Sequence, residues 1–501
     1  MAQPRHPALY QINTRIVLGE LAARAGRPPT LDCVSDEFLD QVAALGFDWV
    51  WLLGVWQTGP AGREVSRADA GLRQEFESLL PDLSEDDICG SPFAVRAYSV
   101  HADFGGNEAL ARLRRRMADR GLRLLLDFVP NHTALDHRWA REHPEYYIAG
   151  SPSDLAREPA NYYRLETSRG PRVLAHGRDP YFPSWRDTLQ LNYRCGVLRR
   201  AMIGELTRVA GMCDGVRCDM SMLLLPEVIQ RIWGPRSMPG DGTPPVDALF
   251  WPEAIAHVRA THPHFLFMAE VYWDLEAALQ QQGFDYTYDK RLYDRLLACD
   301  AQATRGHLRA DAEFQCKCVR FLENHDEPRA ACAFAPEVHP AAAVVAYLVP
   351  GLRFFHEGQL EGRRRHASIH LRRRPAEPVD AAVRDFYLRL LQCAKLPAVR
   401  DGDWRLLECR PAWEGNRTCQ QLLAFTWEGP QQRLLAAVNY GPAEGQCYLR
   451  IAWPDLGNRK FLLRDRMTPA RYLRDGADLA ARGLYLDMPP WCCHVFEVLP
   501  Q

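Results

Sequence analysis

A chain of 501 residues, 47% hydrophobic and 25% charged, has an ordinary soluble globular composition and is too long for one simple core, so two or three domains are expected. Its 61 Lys and Arg against 63 Asp and Glu leave a net charge of -2, which excludes a globally basic nucleic-acid binder or a binder of anionic membranes. The basic runs at 363–365 and 372–374 are read as solvated loops.

The first stretch, MAQPRHPALYQINTRIVLGE, has no basic segment followed by an apolar run and a small-residue cleavage site. No signal peptide is expected, and the protein is placed in the cytoplasm. Candidate strands follow at 9–18, 49–55, 123–129, 215–220, 264–272, 284–289, 318–325 and 352–359. Amphipathic stretches lie between them, as at 107–122, where Leu110, Leu113 and Met117 share a face and Gly121 supplies a stop. Eight strands alternating with helices predict an α/β fold, a parallel (β/α)8 TIM barrel.

From 133 to 190 the chain is rich in Pro, Tyr, Arg and Asp without a regular period, which predicts an inserted subdomain after the third strand. Beyond 396, short alternating segments such as QQLLAFTWEG, RLLAAVNYG and CCHVFEVL predict a C-terminal antiparallel β-sandwich. The expected division is a barrel over 1–132 and 191–395, the insertion over 133–190 and the sandwich over 396–501. The most apolar region, 341–355, is broken by Pro350, Gly351 and Arg353 and is short for a membrane span. The 15 cysteines are odd in number and scattered, so free thiols in a reducing compartment are expected. Cys316 with Cys318, and Cys492 with Cys493, lack metal-site spacing and are read as core or strand cysteines.

The segment RFLENHDEPR at 320–329 begins as a buried strand and ends in a His and two acids. In a TIM barrel the C-terminal strand ends form the active mouth. There the chain places Asp127, Asn131 and His132 after strand 3, Arg217 and Asp219 on strand 4, Glu270 on strand 5, and His325 and Asp326 on strand 7. Converging carboxylates with an Arg and two His suit acid and base chemistry on a polyhydroxylated substrate. Retaining glycoside cleavage needs one carboxylate nucleophile and one protonated carboxyl close by. Arg217 would hold Asp219 ionised, while carboxylate and apolar neighbours such as Tyr272 and Trp273 would raise Glu270.

At these residues the chain resembles the α-amylase superfamily of retaining α-glycosidases and transglycosidases. LLDFVPNH (125–132), GVRCD (215–219), EVYW (270–273) and FLENHD (321–326) are similar to its four motifs in order, and DTLQLNYR (187–194) to the motif that closes its inserted subdomain. SPFAVRAYSVHADFGG (91–106) resembles the stretch bearing the ring-stacking aromatic, here Phe93, and GQLEG (358–362) the turn after strand 8. The resemblance implies Asp219 as nucleophile, Glu270 as general acid/base and Asp326 as transition-state stabiliser. It implies sugar binding by Phe93, His132, Arg217 and His325, support from Asp127, and closure of the pocket by Arg329.

Departures bear on substrate and cofactor. Leu223 stands where starch-cleaving relatives carry His or Lys, and Gln190 where a calcium-binding Asp is usual, which leaves Asn131 as a weak ligand. No cofactor is therefore expected to be required. The expected function is hydrolysis of a small α-glucoside or short α-gluco-oligosaccharide. The alternative is a transglycosidase or sugar isomerase of the sucrose, maltose or trehalose type, and a catalytically inactive binding homologue is a third reading. The partner is a carbohydrate, not nucleic acid or membrane, and no P-loop or dinucleotide fingerprint follows a strand.

Overall fold

Apolar segments that are buried on both faces pair most readily with others like them, and eight such segments here close into a parallel barrel. They are β1 (Ala8–Asn13), β2 (Trp49–Leu53), β3 (Arg123–Phe128), β4 (Gly215–Cys218), β5 (Leu266–Ala269), β6 (Tyr286–Tyr288), β7 (Cys318–Arg320) and β8 (Leu352–His356). Each strand pairs with its sequence neighbours and β8 pairs with β1, in register Tyr10 to Phe355. The computed structural model describes residues 4–501 except 168, 169, 240, 241 and 458.

The strands are shorter than the sequence expectation, most clearly at the start. Residues 14–18, expected to continue the first strand, begin the helix Thr14–Ala25 instead. Asn13 is the reason: its side chain accepts from the Ile16 N–H at 3.5 Å and starts the helix there. The expected helix near 107–122 runs over Gly106–Ala118, burying Leu110, Leu113 and Met117. The apolar run at 341–355 divides between the helix Val338–Leu348 and β8. Among the described residues no helix is long and apolar enough to cross a membrane.

Two insertions rise above the mouth of the barrel. The segment after β3 is stitched at its ends, where His132–Ala134 pairs antiparallel with Thr188–Gln190, and it carries a hairpin of Tyr162–Thr167 and Gly170–Ala175. After β2 the chain forms the helices Pro60–Ala68 and Ala70–Leu79. Phe76, Leu80 and Ile88 of this insertion share a small separate core with Leu371 from the loop after β8.

The C-terminal region is two antiparallel sheets, one of six strands and one of three, with Leu422, Ala424, Leu435, Leu449 and Leu486 in the core between them. The alternate residues Leu423, Phe425, Trp427, Leu434 and Val438 point the other way and join the core of the barrel. Trp427 also donates to the Leu348 carbonyl at 2.7 Å. Trp453 is 6% exposed inside the sandwich rather than part of an open platform. All 15 cysteines are free.

Gly351, between the helix Val338–Leu348 and β8, has φ +122°, and a Cβ there would sit 2.2 Å from the Cys318 carbonyl oxygen. Both the backbone and the contact forbid a side chain. Gly351→Ala is expected to destabilise the fold by ~2–3 kcal/mol, measured as a lower midpoint in denaturant with unchanged slope.

Candidate active site

Side chains two apart on a strand face the same way, so a strand whose Arg faces the barrel axis delivers its next alternate residue to the mouth. Arg217 of β4 is followed two residues on by Asp219, just past the strand, and Met268 of β5 in the same way by Glu270. The chain holds these turns with backbone bonds from Asp219 N–H to the Phe128 carbonyl at 2.8 Å and from Glu270 N–H to the Cys218 carbonyl at 3.0 Å. After β7 a loop does the same work. The Asn324 side chain accepts from the N–H groups of Asp326 and Glu327 at 2.8 and 2.9 Å and turns the chain so that Asp326 faces the opening while His325 stays behind it.

Arg217 is 1% exposed and is the hub of the group. Its Nη1 donates to Asp219 Oδ1 at 2.7 Å and its Nη2 lies 2.8 Å from Glu270 Oε2, while Asp127 Oδ1 is 3.8 Å from Nη1. The guanidinium rests against the rings of Phe93 and Trp51, with 5.0 and 5.4 Å to their centroids. Asp127 is fixed by the Gly54 N–H at 2.7 Å and the Trp51 indole at 3.2 Å. It supports the site from below.

Burial pushes Glu270 up to about 8; the neighbouring Asp219 and Asp326 carboxylates add to the rise, and Arg217 and the Met220 N–H oppose it. Burial likewise pushes Asp127 up to about 7, against Arg217. The walls of the cleft raise Asp326 while Arg217 and His366 oppose them. Its side chain is 44% exposed, so solvent weakens this shift relative to that of the enclosed Glu270. Met220, whose N–H donates to Glu270 Oε2 at 2.6 Å, has φ +43°, a left-handed conformation rare outside glycine.

His325 and His132 are both kept neutral, chiefly by burial, with Arg217 adding to the effect on His325. The Gln11 amide lies 3.0 Å from His325 Nδ1 and donates to it, which puts the ring proton on Nε2. That Nε2 is 3.2 Å from Asp326 Oδ2 but out of line for a hydrogen bond, so it is buried without a partner in the protein. Phe93 and His325 rings lie 5.5 Å apart, and His132 lies 5.1 Å from Trp185.

The mouth opens into a cleft of about 930 Å³, which Asp127 and His325 do not line; they sit behind its wall, with the His325 side chain 1% exposed. Phe93, His132, Arg217, Asp219, Glu270 and Asp326 all face it. Arg329 does not. It is 1% exposed and clamped between the loops after β7 and β8, with Nη1 at 2.7 Å from both Glu323 Oε1 and the Glu357 carbonyl. The expected pocket-closing Arg is therefore an internal strut, because two buried acids claim its charge. Leu223 is buried in the core, and Met220 takes the cleft position beside the strand end.

Asn131 and Gln190 meet as expected, but their chemistry does not suit calcium. Gln190 Nε2 donates to the Asn131 Oδ1 at 2.9 Å, the Asn131 carbonyl at 3.0 Å and the Leu191 carbonyl at 3.1 Å. The oxygens a cation would need face an N–H donor instead.

Sequence reasoning missed several lining residues. Trp185 and His370 lie far from any barrel strand end, in loops with no periodic signal, and only the aromatic in the Pro-rich FPSWRD pointed to the first; Lys290, two residues past β6, opens the helix Lys290–Leu297 and was passed over because β6 carries no acid at the mouth. Tyr272, read only as an apolar neighbour, donates to Glu270 Oε1 at 3.1 Å. At one end the cleft meets a wall built from Val65, Ser66 and Leu72 of the β2 insertion and Ile369 and His370 of the β8 loop. Ser66 Oγ bonds His370 Nδ1 at 2.8 Å, Cys89 N–H donates to the His370 carbonyl at 2.7 Å, and Arg373 forks onto Asp87 at 2.6 and 2.9 Å. From beneath, Arg15 donates to the Gly90 and Ile369 carbonyls.

Known proteins share the fold and much of the sequence pattern of this chain. An α-amylase family alignment over 363 residues links 71% of this chain, at 24% identity, to 44% of the α-amylase MalA of Haloarcula japonica. An α-1,4-glucan:maltose-1-phosphate maltosyltransferase of Pseudomonas aeruginosa is 25% identical over 50% of this chain and 31% of its own length. The chain thus spans less than half the length of these two curated relatives. A maltogenic α-amylase, AmyB, of Thermotoga neapolitana has the same fold with a TM-score of 0.68 over 99% of both chains, at 17% identity. The model of the α-amylase catalytic domain matches residues 37–368, and the chain belongs to the α-amylase family.

Proposed function

We propose that this chain is a retaining glycosidase that attacks the end of a small α-glucoside or short α-gluco-oligosaccharide. The observation that carries the reading is the single buried guanidinium shared by Asp219 and Glu270, with Glu270 kept in its acid form at neutral pH. Glu270 gives its proton to the glycosidic oxygen as an Asp219 oxygen attacks the anomeric carbon. A covalent glycosyl-enzyme forms and the aglycone leaves. Glu270, now a carboxylate, takes a proton from water, which opens the intermediate and restores both residues. Asp326 faces the positive charge that develops on the ring, with the neutral His325 behind it, while the neutral His132 meets the ring's hydroxyls and Phe93 its apolar face.

The preference for a chain end follows from where the wall stands. The leaving group lies beside the proton donor, on the β5 side, where Tyr272, Trp273 and Lys290 line the cleft. In a ring of eight strands β5 is opposite β1, and the wall comes from the loops after β2 and β8, which flank β1. The reacting sugar therefore backs onto the wall and has little room behind it. A transfer reading shares every step except the last, with a sugar acceptor in place of water; the relative named as a maltosyltransferase favours keeping it in view.

Products from maltose, isomaltose, trehalose, sucrose and soluble starch, resolved by chromatography, test the assignment. Free glucose from a small substrate is expected, and Asp219→Asn is expected to lower kcat by about a thousandfold or more. Equal turnover in the variant would remove Asp219 from its role, and new disaccharides in place of glucose would move the reading to transfer.

Since Glu270 must be protonated to act, kcat/KM is expected to fall as pH rises through about 8. An alkaline limb near 4.5, the ordinary Glu value, would contradict the assignment. Arg373→Glu puts like charges at the Asp82 and Asp87 clasp and is expected to raise turnover of long α-glucans relative to maltose. An unchanged ratio would show that the wall does not set chain length.

A further inference from the structure

The C-terminal sandwich holds a second chemical constellation, far in sequence from the carboxylates. Its last strand, Cys493–Pro500, is entered by Cys492, and residues two apart there face the same side, so Cys492 and His494 are neighbours. Cys492 Sγ is 3.8 Å from His494 Nε2, and His494 Nδ1 is 2.9 Å from Asp465 Oδ2. Asp465 ends the adjacent strand, Lys460–Asp465, and is held by the N–H groups of Met467 and Val495, each at 3.1 Å, and by Thr468 Oγ1 at 2.6 Å. A sulfur nucleophile, an imidazole in reach of it and a carboxylate orienting that imidazole are the three parts of an activated thiol.

The surroundings agree. Cys492 is partly exposed, so a small reagent reaches it, whereas the Asp465 carboxylate is fully enclosed. Burial opposes a charge on His494, but the bonds to Asp465 and Cys492 outweigh it and push the imidazole up to about 9. At neutral pH the ring is a cation whose Nε2–H points at sulfur, and such a donor stabilises the sulfur anion that attacks disulfides. Asp465 and Cys492 are the titratable groups against His494; the Tyr472 ring is 6.5 Å away on the edge strand Arg471–Asp475, and Cys493 faces the opposite side, towards Cys393.

We propose that Cys492, set by His494 and Asp465, is a modification site that exchanges with small disulfides of low-molecular-weight thiols. Cys492–SH and R–S–S–R give Cys492–S–S–R and R–SH. The disulfide's S–S bond breaks, a new S–S bond forms to Cys492, and the Cys492 proton ends on the departing thiolate. A reducing thiol reverses the reaction by the same route. The site goes beyond the glycosidase reading and does not depend on it.

Cys299 and Cys332 are built-in controls, since both are more exposed than Cys492. If exposure alone governed reactivity, they would react first. The whole protein is treated with oxidised glutathione below pH ~7, where an ordinary free thiol is almost wholly protonated, quenched with acid and mapped by mass spectrometry. Cys492 is expected to gain glutathione about tenfold faster than Cys299 or Cys332. His494→Gln is expected to bring its rate down to theirs while leaving theirs unchanged. A Cys492 no faster than the controls, or one still fast in a folded His494→Gln variant, would overturn the proposal. Should that variant not fold, alkylation of the natural protein by iodoacetamide decides. At pH ~7 Cys492 is expected to be alkylated about tenfold faster than Cys299 or Cys332, and equal rates would overturn the proposal.

Discussion

One buried cation organises the mouth of the barrel. Arg217 is out of contact with water and lies among Asp127, Asp219 and Glu270. A lone buried guanidinium costs several kcal/mol, and three carboxylates packed together without it would repel one another. One positive charge cannot neutralise three negative ones. Burial, reinforced by the neighbouring carboxylates, raises Glu270 and Asp127 and favours their protonated forms. The raised Glu270 is a product of burial and of the carboxylates around it, and no special feature of Glu270 itself is needed.

Around that centre the fold solves similar problems with different means. Where a carboxylate and cation could have joined the inserted segment to β3, a Gln190 amide spans the same junction with three donated bonds. On one side of the mouth, two loops whose strands are distant in sequence but flank β1 meet through the Arg373 fork and a small apolar core of their own. The centre fixes the chemistry. The periphery sets the walls of the cleft.

The legible part of the chain was the part governed by local pattern. Barrel strands are short runs of Leu, Val, Phe and Trp, and their polar ends stand out against them, so Asp127, Arg217, Asp219, Glu270 and Asp326 could be located before any coordinates. The segment TRIVL was read as strand because its β-branched residues suit one, but the Asn13 cap carries no periodic signature and redirected it. Arg329 illustrates a different limit. Its partners, Glu323 and Glu357, are 6 and 28 residues away, and nothing in a linear reading says which of two acids or a ligand will claim a cation. Trp185 and His370 were hidden for the same reason: loop residues are placed by tertiary contacts.

The six-stranded C-terminal sheet has a mechanical meaning. Leu422 and Ala424 belong to the sandwich core while Leu423, Phe425 and Trp427 belong to the barrel core, so one backbone serves two hydrophobic interiors. Separating the sandwich from the barrel would bare an apolar face on each, without a polar, wetted seam along which to slide or hinge. Heat or denaturant should meet the barrel and sandwich as one cooperative unit, and a strain introduced at the outer sheet is passed directly to the staves that carry the carboxylates.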